Sequence, residues 1–207
     1  MRSVYLFLIL GGLMLLLTYC NNYNKDIAEV SPYLNQNDTV GYVGMATCKL
    51  CHADQHATFV HTGMGLSFDN ATKSKSAATF GAHAVVYDSV NNFYYKPFWK
   101  GETLHIMEYR LDGKDTIHRR TEAISYIIGS GQHTNSHLLN INGYVYQAPI
   151  TFYTQKQQWD LAPGMEMGFN SRFSRIITAE CMTCHNGLPE MVTGAVNKYK
   201  NIPVGID

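Results

Sequence analysis

Apolar and polar positions divide the 207-residue chain into stretches of different character. Behind a single arginine, Arg2, an apolar run extends from Val4 to Leu17. At about fourteen residues it is short for a membrane-spanning helix, which needs about 20, and fits the core of a secretory signal. The next segment, "NNYNKDIAEVSPYLNQNDTV", is polar and poor in core residues, so residues 21–40 read as a tether. From Gly41 the pattern changes. Thr47 is placed to cap a helix that carries Cys48, Cys51, His52 and His56 and runs to about Thr62, where "GMG" breaks it. A small-residue connection over 69–82 follows.

Aromatic and β-branched residues dominate the middle of the chain in "AVVYDSV", "NNFYYKPFW" and "LHIMEYRLDGKDTIHRR", with an Asp-Gly turn signal at 112–113. An Asn-Gly at 142–143 between apolar runs is the strongest short hairpin signal. Residues 84–155 are therefore expected to be mostly short antiparallel strands. "ISYIIGSGQHTNSHLL" (124–139) reads as a helix interrupted by its "GSG", and a last helix is expected from Ser171 to about His185, stopping at Gly187. The predicted class is α+β, with two helical segments flanking a β-rich antiparallel insert. Residues 1–20 form the signal, 21–40 the tether and 41–207 the domain.

Charge narrows the partners. Sixteen Lys and Arg balance sixteen Asp and Glu, so nothing argues for nucleic acid or an anionic membrane surface. The five cysteines include Cys20 in "LLTYC", which resembles a bacterial lipoprotein box. Lipidation at Cys20 is the preferred reading over a plain secretory signal or an uncleaved anchor. All three export the chain, to the periplasm or to an outer-membrane-anchored state, and the lipid leaves two matched cysteine pairs.

Those pairs are "CKLCH" at 48–52 and "CMTCH" at 181–185. A zinc ribbon wants its second pair roughly 15–20 residues after the first, and a thioredoxin-like site needs only one pair. Neither explains a histidine after both; with nine histidines in the chain, chance supplies that about twice in a thousand. Covalent haem attachment does explain it. Two thiols on one helical turn reach the two vinyl groups, and the next residue presents its imidazole to the iron. Cys48, Cys51 and His52, and Cys181, Cys184 and His185, satisfy this twice, so two covalent haem c groups are expected.

A second axial ligand sets the potential of each iron. His56 lies on the same face as His52 and reads as a propionate partner or surface residue. In "HTGMG", Gly63 and Gly65 free the backbone to aim Met64 at an iron, with His61 the second candidate there. His133 and His137, one helical turn apart if helical, can offer one ligand and one group that holds it, His133 first. His83, His105 and His118 lie in strand-like segments where solvent exposure explains them. Arg119 and Arg120 beside His118 read as a solvated strand end before an anion site.

The motifs "GYVGMATCKLCHADQH", "TGMGLSF", "YIIGSGQHTNSHLL", "WDLAPGME" and "FSRIITAECMTCHNG" together resemble multihaem c-type cytochromes with a cytochrome c-prime-related domain, over about residues 41–207. The resemblance implies haem binding and electron transfer, and favours Met64 and His133 as functional residues. In that family a stretch like "IPVGID" is followed by another Cys-x-x-Cys-His, so the chain is expected to be a fragment lacking a third haem and any tetratricopeptide repeats. The expected function is electron relay between periplasmic or membrane-surface redox protein partners. The alternatives are a haem-dependent oxidoreductase acting on a small nitrogen compound, or a haem-stabilised interaction or sensor module.

Overall fold

Residues 33, 40, 41 and 43–205 are described in the computed structural model. The signal run, Cys20 and most of the tether lie outside them. Turn chemistry and apolar strands organise the rest, from Gly44 on, into one compact unit. Strands β2 (Val86–Asp88), β3 (Phe93–Lys100), β4 (Thr103–Asp112) and β5 (Asp115–Ala123) form an antiparallel meander. Gly113, at a positive φ, turns β4 into β5. On β4, Leu104, Ile106 and Glu108 point inward while alternate residues face out. β5 is the edge, and its exposed charges protect it from pairing with other chains.

A larger antiparallel sheet is ordered β1 (Phe68–Asn70), β6 (Tyr126–Ile128), β7 (Thr134–Ile141), β8 (Tyr144–Tyr153) and β10 (Arg175–Ile176), with β9 (Gln158–Leu161) also paired to β8. Asn142 and Gly143, both at positive φ, join β7 to β8 in the two-residue turn that suits the strand twist. The two sheets pack face to face: Val86, Tyr95, Leu104 and Ile106 of the first meet Ile127, Leu139, Ile150 and Phe152 of the second. The opposite face of the larger sheet is also covered. There Phe68, Leu138, Val145 and Ile177 pack with Met182 and Tyr199. Met182 belongs to helix α3 (Ala179–His185), and Tyr199 to the small β11 (Glu190–Met191)–β12 (Tyr199–Asn201) pair.

This architecture overturns the expected α+β class with haem-bearing helical segments flanking an insert. The described chain is mostly antiparallel β, and its α-helices are short: α1 (Met45–Lys49), α2 (Ala53–Phe59) and α3. Strands continue on both sides of 84–155, as β1, β9, β10, β11 and β12. The first expected helix breaks at 50–52, because His52 leaves helical geometry at φ −120°, ψ 44°, and Thr47 lies inside α1 instead of capping it. The last one begins only at Ala179, since Arg172 takes a positive φ and Arg175–Ile176 pair with Tyr146 and Gln147.

Residues 124–139 are not helical either. They form β6 and β7, joined through Gly129 and Gly131 at positive φ. Each short apolar segment gains more from pairing in a sheet buried on both faces than from an isolated helix. His133 and His137 are therefore not one helical turn apart.

Candidate functional site

Both Cys-x-x-Cys-His segments close a helical turn. The Cys48 carbonyl accepts the Cys51 N–H at 3.3 Å and the His52 N–H at 3.0 Å. Cys181, Cys184 and His185 lie within α3. All four thiols are free and exposed. The α1 and α2 helices bury no side chain, and Leu50, between the first two cysteines, is 83% exposed. His52 and His61 are exposed, as is Met64.

His185 differs from His52 in being half-buried, and burial pulls its pKa down toward the neutral, ligating form. The Ser67 hydroxyl donates to the His185 carbonyl at 2.7 Å and ties α3 to the end of the "TGMG" loop. His185 lines a cavity of about 210 Å3 together with Gly63, Ser67, Gly129, Ser130, His133 and Thr134. Two sequence-predicted residues, His133 and His185, are thus brought to one cavity although 52 positions separate them. Met64 sits in the adjoining loop without lining it.

Several residues without motif signatures shape this cavity. Lys75 donates to the Leu66 carbonyl and, at 2.9 Å, to the Gly129 carbonyl, pinning the loop around Met64 to the loop before His133. Its burial lowers its pKa, and the Asp69 carboxylate opposes that. Buried Asn135 accepts the Ala77 N–H at 2.7 Å and donates to the Gly129 carbonyl at 3.2 Å. The Gln155 amide meets His133 Nδ1 at 2.8 Å. Sequence reasoning missed all three, because each acts across loops distant in sequence.

The other expected positions separate. His137 is fully buried and stacked on Trp159, with ring centroids 4.9 Å apart, so it is a core residue. His118 hydrogen-bonds Glu108 at 2.9 Å, and Arg120 pairs with Glu122 at 2.7 Å. Strand alternation sends Arg119 to the other side, so "IHRR" does not converge on one site.

The residues present fit covalently bound haem. Paired thiols stand free on one turn, and a second imidazole shares the His185 cavity. Among the described residues no three His, Cys, Asp or Glu side chains gather to hold a bare metal ion; a porphyrin supplies the equatorial ligands itself and asks the protein only for axial ones. Comparison of the chain with family models, curated proteins and solved structures gives no match.

Proposed function

We propose that the chain is an exported c-type cytochrome that binds two haems covalently and relays electrons between redox proteins at a membrane surface. The observation that carries this reading is the pair of Cys-x-x-Cys-His turns, each presenting two free, exposed thiols beside an imidazole. Each thiol would be held to the haem by addition of its S–H across one vinyl group, which needs no oxidant. Bound haem supplies the one-electron iron couple. His52 and His185 would each hold one iron through the imidazole. His133, on the cavity that His185 lines, would supply the other protein ligand to the second iron. Met64 and His61 follow the helix after His52 and are the candidates for the first iron. The exposed side chains of Leu50 and Met64 offer apolar surface for a porphyrin to cover. Lipidation at Cys20 would hold the relay at the membrane, where its partners collide with it.

The test is periplasmic expression with a cytochrome c maturation system, then pyridine haemochrome quantification and intact mass. Two covalent haems per chain are expected, with Cys48→Ser or Cys181→Ser each losing secure attachment at one site. Colourless wild-type protein, or a chain carrying zinc at these cysteines, would overturn the reading.

A further inference from the structure

We propose that Gln155 is a positioning residue for iron ligation, holding the Nδ1 edge of His133 so that Nε2 is the nitrogen presented to metal. This rests on the dihaem reading above. The contact is built at two levels. Gln155 stands in the 3-10 turn Thr154–Lys156 at the end of β8, and the Thr154 N–H donates to the His133 carbonyl at 2.9 Å. The side-chain bond between Gln155 and His133 Nδ1, at 2.8 Å, runs alongside it. Gln157 locks the turn: it takes a left-handed conformation at φ 50°, and its side-chain amide donates to the Thr154 carbonyl at 2.7 Å. The turn is thus fixed to His133 through both backbone and side chain, while His133 Nε2 makes no hydrogen bond to another described residue.

Ligation through Nε2 requires that nitrogen to be unprotonated, so the ring proton must sit on Nδ1. Gln155 can accept it. Its amide oxygen and nitrogen are nearly isosteric, and a half-turn of the amide places the oxygen against Nδ1–H. An acceptor at that position fixes the tautomer and the ring plane and makes Nε2 a stronger donor, which favours the ferric state. Because both side chains are exposed and the bond is a single neutral one, its loss costs the fold little. Variants at 155 should therefore mature normally.

The experiment compares four haem-loaded proteins: wild type, Gln155→Glu, Gln155→Leu and His133→Ala. Each is titrated potentiometrically, and its spin state is read by electron paramagnetic resonance. His133→Ala should turn one haem per chain high-spin. With a carboxylate at 155 the Nδ1–H bond strengthens, and one of the two redox waves should move to lower potential. With leucine the acceptor is gone, and the same wave should move to higher potential, the other wave staying in place. Charge and polarity at 155 can also move a potential, so the shifts must come with a change in the electron paramagnetic resonance g-values of the same haem, which report the donor strength of His133. If His133→Ala leaves both irons low-spin, the assignment of His133 as a ligand fails and the role of Gln155 fails with it. If His133→Ala acts as expected but the Gln155 variants leave the waves unmoved, or shift them in the same direction, the dihaem reading stands and the positioning role is overturned.

Discussion

His137 is the residue whose surroundings most sharply decide its behaviour. Its ring is fully buried against Trp159, its Nδ1 lies 3.4 Å from the Ile150 carbonyl, and its Nε2 has no hydrogen-bond partner. Burial pushes its pKa from 6.5 down to about 4, and the Ile150 carbonyl opposes that only weakly. The unfolded chain therefore takes up this proton before the folded one does. Stability from a neutral His137 is fully present above about pH 6.5 and is lost as pH falls toward 4, by about 3 kcal/mol over that window. His137→Phe keeps a ring against Trp159 and removes the titration. Its urea midpoint should vary less than that of wild type between pH 6.5 and 4. Parallel pH profiles for the two proteins would show that the buried imidazole does not govern acid stability.

At the scale of elements, the cavity depends on how two loops close. Gly129 holds φ 98°, and a Cβ there would fall within van der Waals contact of the Thr134 carbonyl oxygen. Gly129→Ala thus combines left-handed strain with a backbone clash, and should lower stability by about 1–3 kcal/mol. It should also displace His133, which, on the dihaem reading, a change of spin state at one haem would report. Gly101→Ala is the control, since Gly101 has φ 60° but open space around it, and only the thermal midpoint should drop. Equal effects of the two substitutions on the haem spectrum would separate the loop from the ligand. The same loop shows what local sequence can reveal. The cysteine turns and the Asn142–Gly143 hairpin were legible because each is decided within five residues. The path of 124–139 was not, because "GSG" interrupts an apolar stretch in the same way whether helices or strands flank it, and only pairing with β1 and β8 selects strands. Lys75 and Gln155 were invisible for a related reason: their partners lie 54 and 22 positions away.

Across the whole unit, the two sheets and the second cysteine motif are linked by a polar latch. Glu108 points inward from β4 with no exposed side-chain surface. Burial pushes its pKa up, but hydrogen bonds from Arg172 and His118 outweigh that and bring it below the usual carboxylate range. Arg172 grips Glu108 with two guanidinium nitrogens and lies over the Phe93 ring, whose centroid is 4.4 Å away. Next to it, Asn170 donates to Asp88 at 2.8 Å and to the Tyr95 hydroxyl at 3.0 Å. The segment leading from β9 into β10 is thereby pinned to the four-stranded sheet before the chain continues into α3 and Cys181. Removing one partner of a buried ion pair costs about 3–5 kcal/mol when the other is left bare. Arg172 is partly exposed and His118 stays as a partner, so Arg172→Met should cost about 2–3 kcal/mol by urea denaturation. Adding Glu108→Gln should recover part of the loss, because the uncompensated charge is then gone. On the dihaem reading, both haems should still attach, since attachment would require only the local turn and its thiols. An Arg172→Met protein as stable as wild type would mean that apolar packing between the sheets, and not the latch, sets the position from which α3 starts.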